Sequence, residues 1–143
     1  MFIRIWGIVL AALLVAGTAY AGEVTQAEAV RCYNEAVRAQ KSGDIDAAKT
    51  AYQKAIILSE GARKDILKAS YNNVGAIVAN KEDLRSAAQA FNDALTIDQY
   101  YKEANFNLAI IYLKIGNTEK ALEYLGKAIN KKDCYMLEGE KLE

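Results

Sequence analysis

Proline and histidine are both absent from the 143-residue sequence, which contains only two cysteines. Without proline, the chain lacks the residue that most strongly breaks a helix. Without histidine, it lacks the usual general base near neutral pH and the commonest zinc ligand. We therefore expect a helical chain with no catalytic centre, no metal site and no cofactor, in which Cys32 is a small buried apolar residue.

An excess of charge of either sign is also missing. Lysine and arginine together number 18, and aspartate and glutamate together also number 18. Binding to a nucleic-acid backbone needs a basic stripe, whereas here the charges alternate in sign along the predicted helices, as they do on solvated faces. The composition therefore gives no reason to expect a nucleic-acid partner.

Residues 1–21 differ in kind from the rest of the chain. One cation, Arg4, is followed by an apolar run and by the triplet Ala19-Tyr20-Ala21. This is the layout of a cleavable secretory signal, and it predicts cleavage after Ala21 and a periplasmic or secreted protein. The alternative is an inner-membrane anchor, because residues 5–22 carry no charge and are just long enough to span a bilayer. Membrane association is expected only if this segment is not cleaved.

The stretch Glu103–Lys132 predicts a helical hairpin. Two runs with apolar residues three and four apart flank Gly116-Asn117-Thr118. The pattern recurs upstream, where Ala87, Phe91 and Ala94 match Ala121, Leu125 and Ala128 at one constant spacing. That period, about 34 residues, indicates an array of repeated hairpins. The same reasoning predicts six helices, which cover about 26–41, 46–59, 64–80, 83–97, 101–115 and 118–130.

The aligned residues resemble the tetratricopeptide repeat (TPR) family, in which helices cross at three small residues per repeat. The first hairpin supplies Ala36, Ala48 and Ala55, and the other two supply small residues in the same register. These are Gly75, Ala87 and Ala94, then Ala109, Ala121 and Ala128. The resemblance implies an all-α fold, a right-handed superhelix of three stacked hairpins at about 27–60, 64–99 and 102–133, within a domain spanning 22–133.

The chain departs from the family pattern at several positions. Glu35 stands where the first hairpin should carry a large apolar residue, as Val74 and Leu108 do. From Ala48 to Ala87 is also five residues longer than the later repeat, and we expect longer helices there rather than a loop. The tail, residues 134–143, contains Tyr135, Met136, Leu137 and Leu142. It could fold back as a cap on the last repeat, or leave an exposed apolar patch that forms an interface.

The resemblance implies that the chain binds a protein or peptide in a concave groove. Asparagine recurs at the sixth position of each repeat, as Asn34, Asn73 and Asn107. A side-chain amide offers donors and an acceptor, and can therefore pair with the backbone of an extended peptide. The alternative is that these asparagines are merely solvated. The flanking residues predicted to line the groove are Tyr33, Val37, Asn72, Phe106, Ile110 and Lys114.

The family also uses a carboxylate clamp, which grips an acidic peptide tail with lysine and arginine. The matching positions of this chain lack those cations, which excludes a clamp. Only Asn73 agrees with it, and the other positions are Tyr33, Val37, Glu103 and Asn107. The sequence thus predicts a non-catalytic interaction module that serves assembly of a cell-envelope complex. The alternative is a structural scaffold that self-associates, for example as a homodimer, through its C-terminal repeat face.

Overall fold

The computed structural model describes the backbone of residues 2–129 and the side chains of residues 22–129. Within those residues the fold is all helical and contains no strand. The helices are α1 (Phe2–Ser42), α2 (Ile45–Ser59), α3 (Lys64–Asn80), α4 (Leu84–Ile97), α5 (Lys102–Lys114) and α6 (Thr118–Ala128).

Five of the helices begin and end within two residues of the predicted bounds, and α3 matches them at both ends. The first helix does not, since α1 begins at Phe2 and the prediction began it at Gln26. No proline interrupts residues 2–42, so nothing forces a new helix start there. The predicted signal segment lies outside the residues whose side chains are described, and its cleavage stays a prediction. Of the helices in the described part of the chain, none is long and apolar enough to cross a membrane.

The helices pair into three hairpins that stack in chain order. Within the hairpins, α1 contacts α2, α3 contacts α4 and α5 contacts α6, while α2 contacts α3 and α4 contacts α5 between them. Two further contacts join α1 to α3 and α3 to α5, and the described residues give no such contact among α2, α4 and α6. The odd-numbered helices are therefore closer together than the even-numbered ones. The array curves with α1, α3 and α5 on its inner side.

The five extra residues between Ala48 and Ala87 lengthen α2 and α3, as the sequence predicted. The α3 helix has 17 residues and its counterpart α5 has 13. Likewise α2 has 15 residues and α4 has 14. The connection that precedes α3 is as long as the one that precedes α5, and the connection that follows α3 is as long as the one that follows α5. The longer spacing is therefore absorbed entirely by helix.

Small residues fill the places where the two helices of each hairpin cross. All nine of the small residues identified in the sequence are buried, and the eight alanines among them are at most 3% exposed. Large side chains pack beside them, where Tyr52 is 0% and Phe91 is 1% exposed. The equivalent Leu125 is only half-buried, because no further hairpin follows it in the described chain. Cys32 is buried near Ala55 and Ile66, as predicted.

The hairpin turns share one design. Gly43 and Gly116 adopt positive φ angles of 85° and 78°, and the residue after each of them caps the following helix. Asp44 accepts a hydrogen bond from the Ala47 amide, Asp83 from Ser86 and Asn117 from Lys120. These caps satisfy amides that the helices cannot pair internally. The predicted capping role of Asp83 is confirmed.

The departure at Glu35 leaves that position on the surface. Glu35 is exposed and lies 3.9 Å from Arg31, whereas Leu108 at the matching place in the third hairpin is fully buried. The first hairpin therefore lacks one large apolar contact. The predicted tail, residues 134–143, lies outside the described residues.

Candidate protein-binding groove

The predicted groove residues all belong to the three inner helices. Asn34, Tyr33 and Val37 lie on α1, Asn72 and Asn73 on α3, and the other four on α5. Their arrangement follows from the repeat, because residues at one repeat position face the same side of a regular array. The groove formed by α1, α3 and α5 is the candidate site.

Three of the asparagines are joined by hydrogen bonds across the inner helices. The side-chain amide of Asn107 donates to Oδ1 of Asn72 at 2.9 Å, which links α5 to α3. Asn72 in turn lies 3.5 Å from Oδ1 of Asn73. Asn73 donates to the Tyr52 hydroxyl at 3.0 Å, and that hydroxyl donates to Oε1 of Gln40 at 2.8 Å. We call this chain from Asn107 to Gln40 the amide relay.

Tyr52 and Gln40 are the members of the relay that the groove prediction missed. Tyr52 was interpreted only as a large core residue, where the other repeats carry Phe91 and Leu125. The signal was the hydroxyl itself, because a buried tyrosine O–H usually requires a partner. Burial raises the pKa of Tyr52 to about 12, and the neighbouring Tyr33 adds to the rise. The hydroxyl is thus held protonated as a donor.

The α1 side of the groove divides into packed and exposed residues. Tyr33 is half-buried and sets its ring edge against Tyr52, with 5.7 Å between ring centroids. Val37 is half-buried against the core that contains Ala36 and Tyr52. Asn34 is exposed, and no hydrogen bond among the described residues joins it to the relay. The structure therefore brings Asn72, Asn73 and Asn107 together and leaves Asn34 separate.

The α5 side of the groove offers apolar surface next to the amides. A cleft of about 170 Å³ between α3 and α5 is lined by Asn107, Ile110 and Lys114, together with Ala76 and other residues. Ile110 is 38% and Phe106 is 50% exposed. Phe106 does not line this cleft; it lines a second one, on the far side of α5. Phe106 and Ile110 therefore lie on different surfaces of the array.

The side chains of the relay asparagines keep unused hydrogen-bonding capacity. A primary amide carries two N–H donors and a carbonyl acceptor, and the relay uses one N–H each of Asn107, Asn72 and Asn73. Such half-used amides can pair with peptide N–H and C=O groups. The described residues contain no cluster of three or more potential metal ligands.

Stacked helical hairpins with a curved inner face define a class of proteins that bind other macromolecules, the helical solenoids. Residues 80–133 match the tetratricopeptide repeat family. The chain is also 35% identical over 71 residues to the uncharacterized protein MJ0572 of Methanocaldococcus jannaschii, covering 48% of this chain and 83% of that protein. The chain belongs to the TPR family. It is a protein–protein interaction module.

Solved structures with the same fold include two of MamA. One has a TM-score of 0.64 at 20% identity, with 78% of this chain and 62% of that chain covered. The other has a TM-score of 0.60 at 20% identity, with 72% and 54% covered. At this identity the likeness concerns the fold alone, and the described chain spans less than two thirds of either MamA chain.

Proposed function

We propose that the chain binds an extended segment of a partner protein along α1, α3 and α5, through the backbone of that segment. The observation that supports this most directly is the amide relay, which holds Asn73 and Asn107 with one amide hydrogen each still available. Because the amides are fixed by neighbours, less side-chain entropy is lost when a peptide binds. Backbone recognition of this kind places little demand on the sequence of the partner.

The apolar residues beside the relay supply the side-chain preference. Ile110 and the aliphatic part of Lys114 border the cleft between α3 and α5, and Val37 stands at the position on α1 that Ile110 has on α5. The groove residues include lysine but no aspartate or glutamate. The partner segment is therefore apolar or mildly acidic rather than basic.

The proposal places the protein in the cell envelope. Residues 1–21 direct export, and cleavage after Ala21 leaves Gly22 as the first residue. Mass determination of the protein recovered from its host tests this directly. A retained N-terminal segment would instead place the module at the inner membrane.

The groove is tested by incorporating a photo-crosslinking amino acid in the full chain at Ile110, and separately at Gln89 on α4 as a control. We expect crosslinks to one partner from Ile110 and none from Gln89, with the crosslinked segment identified by mass spectrometry. A synthetic peptide of that segment then measures affinity. Equal crosslinking from both positions would remove the groove from consideration.

The amides are tested by binding of the same peptide to Asn34→Ala, Asn73→Ala and Asn107→Ala combined. A matched control removes three amides from the outer helices, by Gln53→Ala, Gln89→Ala and Asn92→Ala. We expect affinity to fall at least tenfold in the first variant only. Asn34→Ala alone serves as a further check, because this exposed side chain takes no part in the relay and its loss leaves the fold intact.

The second candidate is a scaffold that self-associates through the last hairpin. It is favoured by the exposure of Leu122 at 63%, Leu113 at 57% and Ile129 at 42%. Sedimentation at micromolar concentrations separates the two candidates. A monomer across that range would argue against the scaffold and leave groove binding unaffected.

A further inference from the structure

A cleft formed by α4, α5, α6 and the connection between α4 and α5 lies apart from the groove. It has a volume of about 380 Å³, and its lining includes Leu95, Thr96, Gln99, Tyr100, Asn105 and Lys127. None of the residues predicted for the groove lines it. We call it the outer cleft. Protein sites for small molecules have volumes of about 300–1,000 Å³, so the outer cleft has room for a small ligand.

The outer cleft contains one fully buried amide, that of Asn105, which is 0% exposed. Its side-chain nitrogen donates to the carbonyl oxygens of Gln99 and Tyr101, at 3.0 Å each. The reversed amide would set its own oxygen against those two acceptors, so the connection fixes the orientation. Oδ1 of Asn105 is therefore left as an acceptor, and no donor among the described residues reaches it.

This unpaired oxygen indicates what a ligand of the outer cleft must offer. A buried acceptor without a hydrogen bond is rare in proteins, because it has lost its water without gaining a partner. An N–H donor placed in the cleft would supply that partner. Since Asn105 is 0% exposed, the donor reaches Oδ1 only when a lining side chain shifts. Tyr100, which is 71% exposed, can shift at little cost.

The preceding hairpin carries an aromatic ring at the repeat position of Asn105. Tyr71 stands 34 residues earlier, is half-buried and packs against the cluster that contains Phe91 and Leu108. Asparagine is much smaller than tyrosine, so the last hairpin lacks the volume of a ring at this place. A planar ligand in the outer cleft compensates for that missing volume.

The charge of the outer cleft is already balanced. Lys127 is the only charged residue among the described residues that line it. Its Nζ lies 2.6 Å from Oε1 of Glu123 and 4.8 Å from the centroid of the Tyr124 ring. A cationic ligand would be repelled by Lys127, and an anionic ligand would compete with Glu123. The cleft therefore favours a neutral ligand.

We infer that the outer cleft binds a small, neutral, planar molecule that donates an N–H hydrogen bond to Oδ1 of Asn105. Leu95 and Tyr100 supply apolar and aromatic surface for its ring. Indole is a simple molecule with all of these properties, and it serves as the probe. The inference does not rest on peptide binding in the groove.

Benzofuran gives the matched comparison, because it has the shape of indole with an oxygen in place of the N–H. Each compound is titrated into the full chain labelled with nitrogen-15, and the amide resonances are followed. We expect indole to shift those of Gln99, Asn105 and Lys127 saturably, with a Kd on the order of 1 mM, and to leave Gln53 on α2 unchanged. Benzofuran should bind about tenfold more weakly, because it leaves Oδ1 unpaired.

Two variants test the site. Asn105→Leu removes the acceptor at similar volume and should abolish the preference for indole over benzofuran. Thr96→Phe fills the cleft from an exposed position on α4 and should abolish binding of both compounds, which keeps the test open if Asn105→Leu fails to fold. Thr50→Phe on α2 is its matched control, since both threonines are exposed and each donates to a carbonyl of its own helix.

Three results would overturn the inference. The first is the absence of saturable shifts at these three amides at millimolar indole. The second is equal binding of indole and benzofuran, or a preference for indole that persists in Asn105→Leu. The third is unchanged binding of indole to Thr96→Phe.

Discussion

Gly75 illustrates how closely the helices of one hairpin approach each other. A Cβ atom added at Gly75 would lie 2.7 Å from Cε1 of Phe91, closer than real Cβ contacts. The ring cannot easily move away, since Phe91 is 1% exposed and packed among Ala87, Ala94 and Leu108. At the same place the first and third hairpins carry Ala36 and Ala109. The glycine therefore compensates for the large ring opposite it.

This close approach predicts opposite effects for two glycine-to-alanine substitutions. Gly75→Ala should lower the free energy of unfolding by about 1 kcal/mol, because overpacking costs about 1–3 kcal/mol and helix propensity returns about 1 kcal/mol. Gly126→Ala is the matched control in α6, where an added Cβ meets nothing within 4 Å. It should raise stability by about 0.5–1 kcal/mol. Urea titrations measure both, and shifts of the same sign would contradict the packing argument.

Tyr52 predicts an alkaline loss of stability. Burial raises its pKa to about 12 from the ordinary value of 10.0, so the folded state favours the protonated form. Its contribution, about 3 kcal/mol, is complete below pH 10 and is lost as pH rises through 12. In Tyr52→Phe this part of the decline should vanish, although the lost hydrogen bonds cost about 1 kcal/mol at neutral pH. The stabilities of the two proteins should therefore converge above pH 10 and cross before pH 12, where the variant becomes the more stable one.

Denaturation series at several pH values check this expectation. Tyr101, whose pKa burial also raises to about 12, leaves a residual pH dependence in the variant. Tyr100→Phe, at a ring that is 71% exposed, should leave the profile of the unchanged protein as it was. If the free energies of unfolding of Tyr52→Phe and of the unchanged protein decline in parallel between pH 10 and 12, Tyr52 is not the source of the alkaline loss.

At the scale of helices and turns, the three hairpin turns differ at one position. Gly43, Glu82 and Gly116 occupy equivalent places, and all three have positive φ, with Glu82 at 62°. Residues with a side chain pay about 1–2 kcal/mol for this conformation and glycine does not. The turn between α3 and α4 is therefore strained where the other two are relaxed.

Exchanging the two residue types should reverse that difference. Glu82→Gly should raise the free energy of unfolding by about 0.5–1 kcal/mol, because relief of strain exceeds the extra entropy of a glycine in the unfolded chain. Gly116→Glu should lower it by a similar amount. Thermal or urea denaturation of both variants measures the changes. A loss of stability in Glu82→Gly would show that the Glu82 side chain contributes a contact that outweighs the strain.

Local sequence signals predict most helix positions and part of the groove. Small residues in register and capping residues such as Asp83 fix where helices cross and begin, because each acts through local geometry. The start of α1 was missed, since no local signal separates residues 22–26 from the helix before them. For the groove, the repeat position places Asn73 and Asn107 on inner helices. Their link through Asn72, and the hydrogen bond from Asn73 to Tyr52, depend on distances between side chains of different helices, which no sequence pattern records.

At the scale of the whole molecule, each hairpin contacts only its neighbours. The middle hairpin, α3 with α4, contacts α2 on one side and α5 on the other, whereas α6 contacts only α5 among the described helices. The relay from Asn107 to Gln40 crosses all three hairpins. Stability in such an array is approximately the sum of hairpin stabilities and of the interfaces between neighbours. How far along the array a destabilising substitution acts should therefore depend on which hairpin carries it.

Matched substitutions at two helix crossings test this expectation. Ala87→Leu in the middle hairpin and Ala121→Leu in the last one each add volume at a site that is 0% or 3% exposed, at a cost of about 1–3 kcal/mol. Amide hydrogen exchange should accelerate across both neighbouring hairpins in Ala87→Leu, because α3 and α4 support both interfaces. In Ala121→Leu the acceleration should be confined to α5 and α6. If Ala121→Leu accelerates exchange equally in α1 and α2, the three hairpins unfold as one cooperative unit, and the relay is then the connection to remove next, through Asn107→Ala.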